Sequence, residues 1–570
     1  MADIKSNKKK MANARNYFKE YCDYTGIHGC KFIGEERTMC EKIIWIIVFC
    51  ISLFTCITVV YEVFKKWQKS PIIVNFASEK VNIYDITFPA VTICPETKVY
   101  SDYFNYTLSL KSSLKMNETN FKGDQLKKLQ YMSLLCNVNV YYHKIPKIDT
   151  IDEGFYEFLK NGAPQFFTKC IWMGSDYPCE EIFQPLYTDE GLCLTFNMLK
   201  KSKIFTSETE GVHSPPPSYV DNDAVNWSAD FGYTDDAGLN AYPRRAFLSG
   251  STNSLQVNLA INNTDLDYGC THFQGYKVVL HSPHRYPTLS NHYIRIPLRK
   301  SVSAAITPVV LTTSDDVAQY PIHKRKCAFQ KDKKLRYFSE YSQMNCRMEC
   351  LLNLTMELCG CVEYYMPRLK GMPICGTGKY ECVKDATAHR TVLVLQQQSK
   401  EHRKAYLKQE QFRGHFKQMG HNLSHKQFCY CPDMCNIIEY NVEITESDYD
   451  WPRKMATLGI DLAEDEEGLS ASQIEIYFKS STFIPQERNG LFGLFDFLSN
   501  VGGLLGLFIG FSLLSMVEFI YFLSLRIICN LKLYHTWYGK PESPQNRSNI
   551  ATIPMVTGGT FLHRTTSVNA

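Results

Sequence analysis

Residues 43–64 read IIWIIVFCISLFTCITVVYEVF, an apolar run with one charge, Glu62, near its end. About 20 apolar residues are enough for a helix to cross the ~30 Å hydrocarbon layer of a bilayer. A cleaved signal peptide is the competing interpretation, but residues 1–42 precede the run, the run exceeds a usual signal-peptide core, and no small-residue cleavage site follows it. The segment therefore predicts a first transmembrane helix at residues 43–64.

A second apolar segment lies near the other end of the chain, at residues 491–525, and reads LFGLFDFLSNVGGLLGLFIGFSLLSMVEFIYFLSL. One straight helix of this length would extend about 52 Å, so the segment must tilt, break or project beyond the bilayer. Its glycines allow close helix packing or a break, and its polar residues favour a face turned inward. These residues are Gly502, Gly503, Gly506 and Gly510, with Asn500, Ser512 and Glu518. We assign residues 491–528 to a second, pore-lining transmembrane helix.

Charge, sequons and cysteines predict the topology. Both ends of the chain are mildly basic, which favours a cytosolic N-terminus at residues 1–42 and a cytosolic tail at residues 529–570. Sixteen of the 22 cysteines lie between the spans, an even number that suits eight disulfides in an oxidising compartment. Residues 65–490 are therefore expected to be extracellular. Glycosylation sequons in this region lie at Asn105, Asn117, Asn226, Asn262, Asn353 and Asn422.

The sequence between the two apolar segments predicts a disulfide-rich α+β fold for the extracellular region. Runs rich in β-branched and aromatic residues at 85–94, 275–280, 293–298 and 474–478 indicate a central sheet, and residues 207–241 indicate an exposed loop. Ten cysteines within residues 327–435 predict a stapled helical or loop-rich module, and the extracellular context favours disulfides over a zinc site there. The histidine-bearing insertion 385–427 is interpreted as a solvated helix, with a pH-responsive or metal-binding role as the alternative.

Several function classes find little support in the sequence. The net charge of +4 is small, and no periodic basic face indicates a nucleic-acid partner. The stretch from Gly376 to Lys379 is faintly similar to a phosphate loop, but Pro373 replaces its first glycine and Tyr380 replaces its hydroxyl residue. We find no nucleophile elbow and no H-E-x-x-H motif, and we expect neither an enzyme nor a cofactor or metal site.

Motifs along the chain resemble one family. Residues 88–94 (FPAVTIC) follow the first span, His28-Gly29 precedes it, and Gly502-Gly503 leads through Gly510-Phe511-Ser512 to Glu518 in the second. With the cysteine-dense block, these make residues 17–528 resemble epithelial sodium channels, degenerins and acid-sensing ion channels. Insect pickpocket subunits are the most similar branch, judged from the Lys324-Arg325-Lys326-Cys327 entry to that block and the long insertion after Cys382. The resemblance implies a trimeric, sodium-permeated plasma-membrane channel subunit in a homotrimer or heterotrimer.

The resemblance also implies roles for residues of the spans. Gly510, Phe511 and Ser512 correspond to the selectivity filter, where three copies would stack rings of oxygen atoms around the ion path. Glu518 would form a carboxylate ring that favours cations over anions.

Further implied roles concern closure and block. Ser499 falls at the degenerin position, where a small side chain lets the pore close, and Gly506 falls where amiloride binds. His28 and Gly29 would support gating. Phe511 and Tyr521 depart from the best-known members, which leaves the degree of sodium over potassium selectivity open.

The family's disulfide pattern is carried over in the same way. It implies the pairs Cys94–Cys193, Cys170–Cys179, Cys327–Cys435, Cys346–Cys431, Cys350–Cys429, Cys359–Cys382 and Cys361–Cys375, and elimination then pairs Cys136 with Cys270. Three other functions stay open from the residues alone: an ATP-gated two-span channel, a two-span ectonucleotidase and a non-conducting adhesion or scaffold subunit. The gating stimulus is not readable from the sequence.

Overall fold

The computed structural model describes residues 2–69, 72–115, 123–136, 145–210, 227–290, 292–398, 429–459, 468–491 and 493–539. The chain divides into two compact units, Met1–Pro71 with Phe492–Ala570, and Ile72–Leu491. The first unit contains both apolar segments, and the second contains the region between them.

The helices of the described residues follow in chain order. They are α1 (Ala2–Tyr24), α2 (Cys30–Gly34), α3 (Met39–Lys69), α4 (Tyr106–Lys115), α5 (Asp124–Leu135), α6 (Gly154–Gly162), α7 (Cys179–Ile182), α8 (Lys201–Ile204), α9 (Asp315–Ala318), α10 (Ile322–Arg325), α11 (Gln343–Cys359), α12 (Tyr380–Gln398), α13 (Trp451–Thr457), α14 (Leu494–Ile509), α15 (Leu513–Leu523) and α16 (Leu525–Tyr534). Helix α3 contains the whole first apolar segment and extends beyond it at both ends. Within the described part of the chain, two helical segments, Met39–Gln68 and Leu513–Tyr534, are long and apolar enough to cross a membrane, and α14 is a shorter apolar helix.

The second apolar segment is the main departure from the predicted elements. Residues 491–528 do not form one helix, because α14 ends at Ile509 and α15 begins at Leu513. A further irregularity at Ser524 separates α15 from α16, which continues to Tyr534. The sequence left open whether this long segment tilts, breaks or projects beyond the bilayer, and the structure shows that the helix breaks.

The strands belong to the unit between the spans. They are β1 (Ile72–Phe76), β2 (Val81–Asn82), β3 (Ala90–Pro95), β4 (Thr150–Ile151), β5 (Phe167–Trp172), β6 (Ser175–Tyr177), β7 (Phe183–Thr188), β8 (Gly191–Phe196), β9 (Thr209–Glu210), β10 (Trp227–Ser228), β11 (Gly232–Tyr233), β12 (Leu255–Asn262), β13 (Tyr276–His281), β14 (Ile294–Ile296), β15 (Lys300–Thr313), β16 (Cys327–Ala328), β17 (Arg368–Leu369), β18 (Ile374–Cys375), β19 (Asp433–Met434), β20 (Ile437–Asp448), β21 (Leu469–Phe478), β22 (Thr482–Phe483) and β23 (Gln486–Gly490). One sheet has the order β1-β23-β15-β21-β12-β5-β6, with β20 also paired to β15, and a five-stranded sheet has the order β14-β13-β3-β8-β7.

The predicted strand runs all contain strands, but they divide between two sheets. Strands β3, β13 and β14 belong to the five-stranded sheet, whereas β21 lies in the larger one. The expectation of one central sheet was wrong, because the hydrophobic pattern of a strand does not specify its partner. Residues 207–241, predicted as loop, contain the short strands β9, β10 and β11, and residues 211–226 lie outside the described residues.

A shared apolar core joins the two sheets. Buried aromatic rings from both sheets pack edge to face, and Phe88 contacts Trp172, Phe196 and Phe478 at centroid distances of 4.8, 6.1 and 5.6 Å. Edge-to-face pairs of this kind add to the free energy gained by removing the rings from water. A second cluster packs around α11, and a third around α5 and α6.

Eight disulfides staple this unit, and each pair is one that the resemblance or elimination indicated. They are Cys94–Cys193, Cys136–Cys270, Cys170–Cys179, Cys327–Cys435, Cys346–Cys431, Cys350–Cys429, Cys359–Cys382 and Cys361–Cys375. Five of them hold residues 327–435, where α11 and α12 provide most of the regular structure. The structure therefore gives the cysteine-dense block a helical framework with disulfide cross-links.

Sequons and the histidine-bearing insertion are only partly within the described residues. Asn105, Asn262 and Asn353 lie in the unit between the spans, and Asn353 is on α11. Asn117, Asn226 and Asn422 lie outside the described residues. Of the insertion 385–427, α12 covers the part up to Gln398, as the helical interpretation predicted, and residues 399–428 lie outside the described residues.

Candidate pore and gating site

The break between α14 and α15 places the three predicted filter residues in non-helical backbone. Gly510 has a φ of +66° in the left-handed region and ends α14, which is where glycine is favoured. Its N–H donates to the carbonyl of Gly506 at 3.0 Å, and the N–H of Phe511 donates to that of Leu505 at 3.2 Å. The chain thus leaves the helix at Gly510 with these two donors satisfied.

Ser512 caps the helix that follows. Its hydroxyl Oγ accepts from the N–H of Ser515 at 3.2 Å, and the Ser515 hydroxyl accepts from the N–H of Ser512 at 3.3 Å. This reciprocal arrangement satisfies two backbone donors where an apolar helix must begin. Ser515, which is 3% exposed, is therefore a partner of the predicted filter serine.

His28 contacts the break directly, and Gly29 follows it in the chain. The His28 N–H donates to the Ile509 carbonyl at 2.9 Å. A Cβ at Gly510 would lie 2.7 Å from His28 Cδ2, so the imidazole ring occupies the space that a larger residue would need. Gly29 has a φ of +86° and reverses the chain between α1 and α2. The structure thus brings together His28 and Gly510, which are far apart in the sequence.

Helix α1 makes further contacts with α15 and α16 that the sequence did not indicate. The Tyr17 hydroxyl donates to the Phe522 carbonyl at 2.5 Å, and Tyr17 and Tyr21 pack edge to face on the Phe522 ring. Glu20 forms an ion pair with Arg526. A sequence separation of about five hundred residues hides such contacts, because no local pattern relates their members.

Ser499 and Gly506 lie seven residues apart on α14, so they share one face of that helix. Ser499 is exposed, and a Cβ at Gly502, Gly503 or Gly506 would meet open space in a single copy of the chain. At its first turns α14 packs on α3, where the rings of Trp67 and Phe497 stack with centroids 5.0 Å apart. The glycine face is thus free to pack closely against another helix.

Glu518 lies on α15, one and a half turns beyond the Ser512 cap. Its side chain is partly buried, and its Oε2 atom is buried without a hydrogen-bond partner among the described residues. An ionised carboxylate in an apolar segment is costly unless water, a cation or another polar group reaches it. The residue therefore requires a polar partner beyond a single described copy.

Titratable groups in the unit between the spans are buried near strand ends. His281 has Nε2 2.9 Å from the Thr92 hydroxyl and Nδ1 3.0 Å from the Ser282 carbonyl oxygen, and burial lowers its pKa to about 4. Glu190 is partly buried, which opposes its ionisation, but the ammonium groups of Lys98 and Lys277 at 2.9 and 2.6 Å outweigh this effect and lower its pKa. These groups make folding of this unit sensitive to acid.

Together these features define a class: a membrane protein with two helical segments long and apolar enough to cross a bilayer, the second of them preceded by an apolar helix and a capped, non-helical break, with a disulfide-stapled α+β region between them. A family model described as amiloride-sensitive sodium channel matches residues 21–522. The chain belongs to this family and is an ion-channel subunit rather than an enzyme; the family forms trimeric channels.

Individual relatives come from insects and rodents. The chain is 25% identical over 527 residues to pickpocket protein 28 of Drosophila melanogaster. The matched residues make up 89% of this chain and 78% of the relative. It is 22% identical to the sodium channel protein Nach of the same species, over 91% of this chain and 89% of the relative. It is also 22% identical to the bile acid-sensitive ion channel of Rattus norvegicus, over 89% and 88% respectively. The resemblance to pickpocket and related channels is therefore confirmed.

Proposed function

We propose that this chain is a pore-forming subunit of a sodium-preferring monovalent cation channel of the plasma membrane, sensitive to amiloride and gated through its extracellular domain. The observation that carries the proposal is the non-helical backbone of residues 510–512 between two apolar helices. Irregular backbone at membrane depth is tolerated only where it is covered by protein or lines a water-filled path. A pore along this segment meets that requirement.

The topology follows from the same physical constraints. Eight disulfides need an oxidising compartment, which supports residues 65–490 on the extracellular side. With spans at 43–64 and 491–528, residues 1–42 and 529–570 are then both cytosolic. Homotrimeric and heterotrimeric assembly with related subunits both satisfy this arrangement.

Cation preference is assigned to the break and to Glu518. In a trimer, backbone carbonyls of residues 510–512 form rings of oxygen that replace water around a small cation. When the Ser512 hydroxyl donates to the Ser515 hydroxyl, 3.2 Å away, and accepts from the Ser515 N–H, one Oγ lone pair is left that can face the ion. Three copies of Glu518 give a negative ring that excludes anions, and this use accounts for the unpartnered Oε2 atom.

Closure and block are assigned to the remaining residues of the spans. Ser499 and Gly506 share the small-residue face of α14, where three helices approach one another in the closed pore. Gly506 leaves room for amiloride at this face. His28 and Gly29 support the break from the cytosolic side, so movement of this loop changes the filter.

Ion substitution during recording tests this function. The full-length chain is expressed in oocytes alone and with a related subunit, and bath sodium is replaced first by potassium and then by N-methyl-D-glucamine. We expect an inward current that is larger in sodium than in potassium, is absent with the large cation, and is blocked by amiloride. Glu518→Gln should lower the preference for cations over chloride. Surface-expressed protein that carries no cation current in either combination would contradict the proposal.

A further inference from the structure

Solvent exposure distinguishes two of the disulfides between the spans. Cys431 and Cys382 are partly exposed, whereas the other disulfide-bonded cysteines are buried. A dissolved thiol must reach a sulfur atom before it can exchange with a disulfide, so access limits the reaction. Cys346–Cys431 and Cys359–Cys382 are therefore the disulfides that a small reagent can approach, each through its one partly exposed cysteine.

A lysine ammonium distinguishes one of these two disulfides from the other. The Lys333 Nζ lies 3.5 Å from Cys346 Sγ and also donates to the Tyr430 carbonyl, so a second contact holds the ammonium at the sulfur. Cys359 and Cys382 instead lie in a small apolar cluster. Among the residues that the structure describes, no basic group is hydrogen-bonded to either of their sulfurs.

The position of Lys333 favours cleavage of the Cys346–Cys431 bond in one direction. Attack at Cys431, the partly exposed cysteine, expels Cys346 as a thiolate directly beside the ammonium. A neighbouring cation lowers the pKa of a thiol, and a thiol of lower pKa leaves faster in exchange. Burial lowers the pKa of Lys333, so this ammonium is incompletely hydrated and is stabilised by a new anion at its side.

We propose that Cys346–Cys431 is a thiol-exchange site, which a small thiol such as glutathione reduces while the other disulfides stay intact. The inference goes beyond the proposed function and rests on it only for the extracellular position of residues 65–490, which exposes the site to thiols outside the cell. Structural disulfides resist the glutathione pool, whereas accessible disulfides with a stabilised leaving thiolate are the labile ones.

The exchange proceeds in two balanced steps. A glutathione thiolate attacks the Cys431 sulfur, the S–S bond breaks, and Cys346 leaves with the electron pair as a thiolate. A second glutathione thiolate attacks the glutathione sulfur of the mixed disulfide and releases Cys431 as a thiolate. The protons of the two glutathione thiols pass to the two cysteines. Two electrons pass from the two glutathione molecules, which become one molecule of oxidised glutathione.

Other bonds keep the two sulfurs within reach of each other after reduction. The disulfides of Cys327 and Cys350 join the same two stretches of chain on either side of Cys346–Cys431. The side-chain amide of Gln343, at the start of α11, also donates to the Cys431 carbonyl at 3.3 Å. We therefore expect the reduced module to keep its fold and oxidised glutathione to restore the bond.

Timed alkylation of surface protein measures exchange at each disulfide without any need for conduction. Intact cells expressing the full-length chain are exposed to reduced glutathione, new thiols are blocked with N-ethylmaleimide, and mass spectrometry of biotinylated surface protein locates the blocked cysteines. We expect Cys346 to become blocked ~3-fold to 10-fold faster than Cys359, with Cys431 blocked or carrying glutathione. Cys359–Cys382 is the control for accessibility. Equal rates at the two disulfides would overturn the proposal.

Replacement of Lys333 tests the role of its charge. Lys333→Met keeps a long side chain but removes the ammonium, so exchange at Cys346–Cys431 should slow by ~3-fold to 10-fold, while Lys333→Arg should stay faster than Lys333→Met. Lys334→Met removes a charge from the exposed neighbouring lysine and should leave the rate unchanged. The rate at Cys359–Cys382 in the same samples reports whether each variant is folded. An undiminished rate in Lys333→Met would overturn the proposal.

Permeabilised cells separate this site from the proposed topology. Because glutathione crosses membranes poorly, we expect selective exchange at Cys346–Cys431 in intact cells. Selective exchange that occurs only after permeabilisation would support the exchange site and contradict the extracellular position of residues 65–490. Absence of selective exchange in both preparations would overturn the exchange site and leave the proposed channel function unaffected.

Discussion

Gly510 combines two requirements that only glycine meets at this position. Its backbone is left-handed, with a φ of +66°, and the His28 ring occupies the space where a Cβ would project. An L-residue in this backbone conformation costs about 1 to 2 kcal/mol before any contact is considered. The residue thus links the end of α14 to the loop at His28.

Replacement of Gly510 by alanine should reduce the current at normal surface expression. The added Cβ must displace the His28 ring and strain the backbone, so the filter loses its geometry. His28→Ala in the same chain removes the ring, and the double variant should lose less current than the two single losses combined. Gly371→Ala is the control for strain alone, because Gly371 has a φ of +81° and a Cβ there meets open space. Currents and surface biotinylation measure these effects. A double variant whose loss of current equals the sum of the two single losses would contradict the contact between His28 and Gly510.

The family resemblance was enough to predict that Gly510, Ser512 and His28 have roles in the pore and its gating. It did not predict which of them contact one another. The spacing of the motif is local, whereas the contact between His28 and Gly510 joins two ends of the chain. The capping exchange between Ser512 and Ser515 depends on a helix break whose position an apolar pattern does not define. The contact of Tyr17 with Phe522, and the pair of Glu20 with Arg526, were missed for the same reason.

One face of helix α14 is not covered by other described residues in a single copy of the chain. Ser499 and the glycines that follow it leave room for close approach, while Phe497 is already stacked on Trp67 of α3. The break at residues 510–512 separates this helix from α15.

Ser499→Val should give a standing current. The three copies of α14 are expected to crowd at this position in the closed pore, and a packed interface accommodates added methyl groups poorly. Ser524→Val is the matched control, because it adds the same volume at an exposed serine of the same span, beyond α15. Resting current per surface channel is the measurement. A resting current in Ser499→Val as small as in the unmodified chain would exclude this crowding.

Across the whole molecule, the oxidation state of a cysteine depends on whether it lies between the two apolar segments. We expect all sixteen cysteines between the spans to be oxidised in surface protein, while the six others stay free. Loss of one staple should destabilise the cysteine-dense module by ~2 to 5 kcal/mol. Alkylation before and after reduction, read by mass spectrometry, tests the division. A free thiol at Cys327, Cys346 or Cys350 in surface protein would contradict it.

Acid should destabilise the extracellular unit through His281. In the unfolded chain this histidine takes up a proton near pH 6.5, whereas in the folded chain it stays neutral down to about pH 4. Stability is therefore present above pH 6.5 and is lost as the pH falls towards 4, by up to ~3 kcal/mol. His284 and Arg285 face the same region and add to the cost of a new positive charge.

The melting temperature of the purified full-length protein measures this effect. The fall in Tm between pH 7.5 and pH 5 should be smaller in His281→Gln, which keeps a polar group near Thr92 but cannot titrate. An equal fall in both proteins would show that other groups carry the acid sensitivity.

The most direct test of the central claim is the sodium to potassium permeability ratio of Ser512→Ala, obtained from reversal potentials in mixed solutions. If residues 510–512 are the filter, removal of three hydroxyls from one ring should change this ratio. Ser512→Thr keeps both the hydroxyl and the cap of α15 and should retain the ratio. Ser515 cannot serve as the control, because its hydroxyl bonds to Ser512. An unchanged ratio in Ser512→Ala, with robust current, would mean that ions are selected elsewhere in the chain.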